Sequence, residues 1–118
     1  MPAPPKTPTS FLSVLENVWW RLDAALDLDI IYWSAALGAA EALLNGTTAV
    51  IDHHESPFAI EGSLDVIKSA CDMVGISSNL SYGVTDRWAG SRMTSTVSPS
   101  SKMTDEAKRG LAENERFI

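Results

Sequence analysis

The sequence predicts a single-domain α/β protein built on one strand–helix–strand unit. Residues 47–51 are β-branched at four of five positions, the composition of a strand. Residues 76–84 set Ile76, Leu80, Tyr82 and Val84 on one side of a second strand. Between them Leu64, Ile67, Cys71 and Val74 mark the inner face of a helix. A helical crossover within one sheet makes its two strands parallel, so their carboxyl ends open on the same edge. Residues 46–84 form this βαβ unit, and about four helices are expected in the 118-residue chain.

The prolines of residues 1–10 give a stiff, extended lead-in with one cation and no apolar core, unlike a signal peptide. Thr9 or Ser10 can cap a first helix, whose apolar face is Phe11, Leu12, Leu15, Val18, Trp19 and Leu22. Trp19 and Trp20 stand about 100° apart on such a helix, so both rings pack, or one lines a pocket. Asp27 or Asp29 opens a second helix that runs to Asn45 and stops at Gly46, the left-handed position past a helix end. Its body, residues 30–44, is apolar nearly all round and is expected to be buried. Ala35, Gly38, Ala39 and Ala42 leave room there for a close approach to a sheet.

Ser63 is expected to cap the third helix and Gly75 to end it, with Cys71 inside as a small buried hydrophobe. Residues 88–103 are rich in Ser, Thr and Gly and form a flexible loop long enough for a lid. Thr104-Asp105-Glu106 opens a fourth helix with Ala107, Leu111 and Ile118 inward. No stop signal follows Phe117-Ile118, so the chain is expected to end mid-helix.

Composition excludes several classes. A net charge of −6 without Lys/Arg clusters argues against nucleic acid. No run reaches the roughly 18 apolar residues of a membrane span. One cysteine forms no internal disulfide, so a reducing cytoplasm is the expected compartment.

The chemistry gathers where the first strand runs into Asp52-His53-His54-Glu55. Strand alternation sends Asp52 and His54 to one face and His53 to the other, so the adjacent histidines do not share one metal. Zinc or iron needs three or four ligands, and two histidines with one cysteine do not make a self-contained site. His53 or His54 is a hydrogen-bonding or proton-carrying group beside a pocket, or a histidine satisfied by backbone. Thr85-Asp86-Arg87-Trp88 leaves the second strand on the same rim, and Asp86-Arg87 reads as a turn with a local ion pair. The candidate residues of the mouth are Asp52, His53, His54, Asp86 and Trp19.

Three strings then suggest a family: WWRLD at 19–23, IDHHESP at 51–57 and Thr85-Asp86-Arg87, with Gly62-Ser63-Leu64 between and residues 113–118 after. In this order they resemble the SsnA-type aminohydrolases of the amidohydrolase superfamily, alongside cytosine deaminase-like and chlorohydrolase-like enzymes. The resemblance implies a (β/α)₈ barrel of about 250 residues, in which a bound divalent metal, zinc or iron, activates water against a non-peptide C–N bond of a small-molecule substrate. It places the family's metal ligands outside the matching stretch, so none is carried over. The chain is therefore expected to be a partial TIM-barrel fragment with two parallel strands, inactive alone, that self-associates or needs a complementing chain. Met1 would correspond to an internal methionine. The alternative is a small non-catalytic α/β binding or structural module that closes its own core.

Overall fold

A computed structural model describes residues 7, 9–89, 92–93 and 103–118. In chain order it contains α1 (Phe11–Val14), a π-helical turn (Leu15–Trp19), α2 (Trp20–Asp23), α3 (Leu28–Leu44), β1 (Ala49–His54), α4 (Ser63–Val74), β2 (Ser77–Tyr82), β3 (Trp88–Ala89), β4 (Arg92–Met93) and α5 (Asp105–Phe117). The expected βαβ unit is present: β1 and β2 pair in parallel from Ala49↔Ser77 to His54↔Tyr82. Among the described residues this sheet has two strands, and β3 and β4 form a separate antiparallel pair.

The helices cover one face of the parallel sheet. Val50 and Leu80 pack there against Ile31 and Ala39 of α3, Ile67 and Cys71 of α4, and Ile76. Cys71 is buried, as expected of a small hydrophobe. Tyr82 turns to a second cluster with Ile60, Leu64 and Phe117. On the opposite face Ala49, Ile51, His53, Ser77, Asn79 and Ser81 are exposed.

Helix ends explain the strand boundaries. Asp27, one of the two expected caps, accepts the Ile30 N–H at 2.8 Å. At the other end Gly46 has φ +85°, its N–H bonds Leu43 O, and Thr47 N–H bonds Ala42 O, a Schellman exit. Thr47 is thus engaged by the helix, and β1 begins at Ala49 rather than at 47. It also runs three residues past 51, because Asp52, His53 and His54 continue the ladder and Gly83 N–H bonds His54 O at 2.7 Å. β2 is shorter than residues 76–84, and Val84 lies beyond it, exposed.

Other expectations need correction. The first helix begins in a Ser10–Ser13 capping box but passes through a π turn, where Trp20 N–H bonds Leu15 O. The wider turn breaks the 3.6-residue period, and none of Phe11, Leu12, Leu15, Val18, Trp19 and Leu22 is buried. In α3 only Ile31, Ala36 and Ala39 are buried, while Ile30, Trp33, Leu37 and Leu44 face out. Ser63 does not cap α4. Gly62 holds the cap position with φ +80°, and the carboxylate that caps this helix comes from Glu113 of α5. Glu113 Oε1 accepts the N–H groups of Gly62 at 3.0 Å and Leu64 at 3.4 Å.

α5 lies closer to the sheet than its apolar pattern implies. Its buried residues are Ala107, Gly110 and Glu113, whereas Leu111 and Ile118 are exposed. A Cβ on Gly110 would come within 2.8 Å of Tyr82 Cδ1, so glycine permits this contact. Asn114 meets the edge of β2 that β1 leaves free. Its Oδ1 accepts Tyr82 N–H at 2.8 Å, and its Nδ2 donates to Tyr82 O at 2.9 Å. Of the expected loop over 88–103, the described parts are the Trp88↔Met93 and Ala89↔Arg92 pair and exposed Met103. The rest of that loop, like most of the lead-in over 1–10, lies outside the described residues.

Glu113→Ala leaves the two α4 amides without their acceptor and should lower unfolding stability by about 1–3 kcal/mol. Gly110→Ala should also destabilise by forcing α5 off Tyr82. Denaturant melts of the two variants check both effects.

Candidate functional site

Alternation along β1 distributes its end residues between two cavities. His53 and Glu55 border one of about 350 Å³, completed by Leu15, Trp19, Trp20, Leu22 and Asp23 of the first helix and Arg87 of the turn after β2. Asp52 and His54 border another of about 150 Å³ on the helical side, with Ile31, Ser34 and Ile67. The opposed projection expected for His53 and His54 is therefore found.

The larger cavity has a braced wall. Arg87 Nη1 donates to Glu55 Oε2 at 2.8 Å, joining the exits of the two strands across the rim. The same guanidinium lies 4.2 Å above the Trp20 ring, a cation–π contact. Gly83 gives Glu55 its space, since a Cβ there would stand 3.1 Å from Glu55 Cγ. Trp19 is half exposed and meets Phe11 edge-on at 6.4 Å. Burial, with the Glu55 charge beside it, raises the Asp23 carboxyl from 3.8 to about 6 against the pull of Arg87. A carboxyl in that range both holds and releases a proton near neutrality. Two indoles, a cation flat on one of them and a titrating carboxyl form a surface suited to a planar, polar small molecule.

His54 stands apart from this wall. Burial lowers its pKa, with Asp52 pulling the other way, so the neutral ring is favoured. It sits edge-on to Tyr82 at 6.1 Å, and its buried Nε2 has no protein partner. Asp86 borders neither cavity, and its Oδ1 accepts the Thr104 N–H at 2.9 Å where α5 begins. The ion pair read within Asp86-Arg87 is thus replaced by Arg87–Glu55, because residues 86 and 87 turn their side chains to different elements.

Of the five expected mouth residues, the large cavity brings together Trp19 and His53 and leaves out Asp52, His54 and Asp86. Trp20, Asp23, Glu55 and Arg87 were missing from that set. Their signal was present, since all four stand inside the strings WWRLD, IDHHESP and Thr85-Asp86-Arg87. Among the described residues no three His, Cys, Asp or Glu side chains are grouped to hold a metal ion. The described side chains do not fit one. Among the described residues no helix is long and apolar enough to cross a membrane.

A rim at the carboxyl ends of parallel strands is the place where α/β enzymes bind small molecules. In comparison with known proteins the chain is similar to a part of several deaminases, in agreement with the resemblance in its sequence. A 5'-deoxyadenosine deaminase of Methanocaldococcus jannaschii is 36% identical over 72 residues, which are 61% of this chain and 16% of that protein. A 5-methylthioadenosine/S-adenosylhomocysteine deaminase of Thermococcus sibiricus is 30% identical over 77 residues, 65% of the chain and 16% of the relative. A second enzyme of that description, from Archaeoglobus fulgidus, is 34% identical over 73 residues, again 16% of its length. The chain thus spans less than a fifth of the curated relatives it matches. No family model matches it, and no solved structure gives a significant match.

Asp23 has a testable signature. Its folded pKa of about 6 exceeds the ordinary 3.8, so between these values the folded chain holds the extra proton and stability falls as pH rises. Asp23→Asn removes that dependence. The melting temperature of the variant minus that of the natural chain should grow from pH 4 to 6.5 and then level off; a constant difference across this range contradicts the assignment.

Proposed function

We propose that this chain supplies part of the substrate-facing rim of a metal-dependent amidohydrolase that hydrolyses non-peptide C–N bonds. In this reading it corresponds to the second and third β/α units of a TIM barrel, with the helical excursion before them. The substrate class is the adenine nucleosides named in its relatives, with neither nucleic acid nor membrane as partner. One observation carries the reading: WWRLD, IDHHESP and Thr85-Asp86-Arg87 are far apart in sequence yet contribute to one cavity. Trp19 and Trp20 would flank a planar base, Arg87 would orient its polar edge, and Asp23 would exchange a proton with the ligand. The zinc or iron implied by the resemblance would be held by groups other than the described ones. The chain alone would then bind weakly and turn nothing over.

Adenosine titrated into the purified chain should quench its tryptophan fluorescence. Arg87→Ala and Trp20→Leu should each weaken that response by about tenfold, the loss of a cation–π and stacking partner. Ammonia release from adenosine should stay at background with added zinc or iron. Absence of quenching at millimolar adenosine overturns the rim assignment, and saturable turnover with stoichiometric metal overturns the inactivity.

A further inference from the structure

The large cavity holds two pairings of a carboxylate with an indole. In the first, Glu55 and Trp20 share a cation, since the Arg87 guanidinium donates to Glu55 Oε2 at 2.8 Å and lies 4.2 Å over the Trp20 ring. In the second, Asp23 and Trp19 stand one helical turn apart and border the same cavity. Trp19 is 54% exposed and Asp23 is half-buried. Among the described residues no hydrogen bond reaches the Asp23 carboxyl, and burial with the Glu55 charge outweighs the pull of Arg87 on it.

The charged or titratable groups of the lining are Asp23 from the first helix, His53 and Glu55 from the end of β1, and Arg87 from the turn after β2. With both carboxylates ionised, one guanidinium balances one of them. An excess negative charge then lies beside the exposed indole, where a cation gains both an ionic hydrogen bond and a cation–π contact. Among the described residues Asp23, His53 and Glu55 are not grouped to hold a metal ion, so the cation that fits is an organic one.

We propose that Asp23 and Trp19 form a subsite for a protonated amine, and that the ligand preferred by this wall is an adenine nucleoside carrying an alkylammonium group on its ribose. The inference rests on the rim reading above and adds the sign of the ligand's charge. The ammonium donates to the Asp23 carboxylate and lies beside Trp19, repeating with a ligand cation what Arg87 does at Glu55 and Trp20. Adenosine is neutral and leaves this subsite unfilled.

Three ligands that differ in charge at one carbon test it: 5'-amino-5'-deoxyadenosine, adenosine and adenosine-5'-carboxylate, each titrated against tryptophan fluorescence. At pH 7 the amine should bind about tenfold more tightly than adenosine, the gain of one charge-assisted hydrogen bond, and the carboxylate more weakly than adenosine. A cation favours the ionised form of Asp23, whose carboxyl is raised to about 6, and an alkylamine stays protonated throughout this range. The preference for the amine should therefore grow from pH 5 to 7 and then level off. In Asp23→Asn the two dissociation constants should converge at every pH, whereas a rise kept in that variant would trace it to His53 and overturn the subsite. Quenching by adenosine with no preference for the amine also overturns the subsite and leaves the rim reading standing. No quenching by any of the three overturns both.

Discussion

The arrangement depends most on one pair of adjacent side chains, Glu113 and Asn114. Glu113 is 2% exposed, and burial by itself would push its carboxyl up. The hydrogen bonds from Arg116 and from the Gly62 and Leu64 amides outweigh that and hold its pKa below the ordinary value. Arg116 reaches Glu113 at 2.9 and 3.0 Å and also pairs with Asp65 on α4. A buried carboxylate is tolerable when it is paired and hydrogen-bonded in this way, and costly once a partner is lost. Asn114 closes the other half of the joint by completing the backbone hydrogen bonds of Tyr82, where an open strand edge would otherwise face solvent. One turn of α5 thereby fixes both the start of α4 and the end of β2.

From that joint the order propagates to the rim. Tyr82 is clamped by Asn114 and Gly110, and its hydroxyl accepts the Ser56 N–H at 3.0 Å. Ser56 follows Glu55, so the loop leaving β1 is held at the residue beside the one that grips Arg87. Arg87 in turn lies on Trp20. The cavity wall is thus a chain of contacts running from α5 through β2 and β1 to the first helix. Strand alternation does the sorting, with His53 and Glu55 turned to this wall and Asp52 and His54 to the helices.

Much of this was legible in the sequence where local chemistry decides. The βαβ unit followed from two β-rich runs around a periodic helix, Asp27 and Gly46 bounded α3, and the opposed projection of His53 and His54 followed from the strand period. Long-range partners were not legible. Nothing local tells that Glu113, fifty residues away, caps α4 in place of Ser63, or that Arg87 prefers Glu55 to its neighbour Asp86. The π turn also escaped, because a pattern read at 3.6 residues per turn carries no sign of it, and the face it marks stays uncovered, with Phe11, Leu12 and Trp19 exposed. α3 misled differently: helical periodicity reports apolar faces and does not say what covers each one. Asp23 and Trp20 lay within the family-like string WWRLD, but only the fold brings them against Arg87.

In the proposed function the wall formed by the first helix, the end of β1 and the turn after β2 receives a planar ligand. Four indole N–H signals, from Trp19, Trp20, Trp33 and Trp88, make a direct reporter in a ¹H–¹⁵N spectrum. Added adenosine should shift the signals of Trp19 and Trp20 and leave those of Trp33 on α3 and buried Trp88 in place. Shifts confined to Trp33 or Trp88, or no shift at all, would contradict the account.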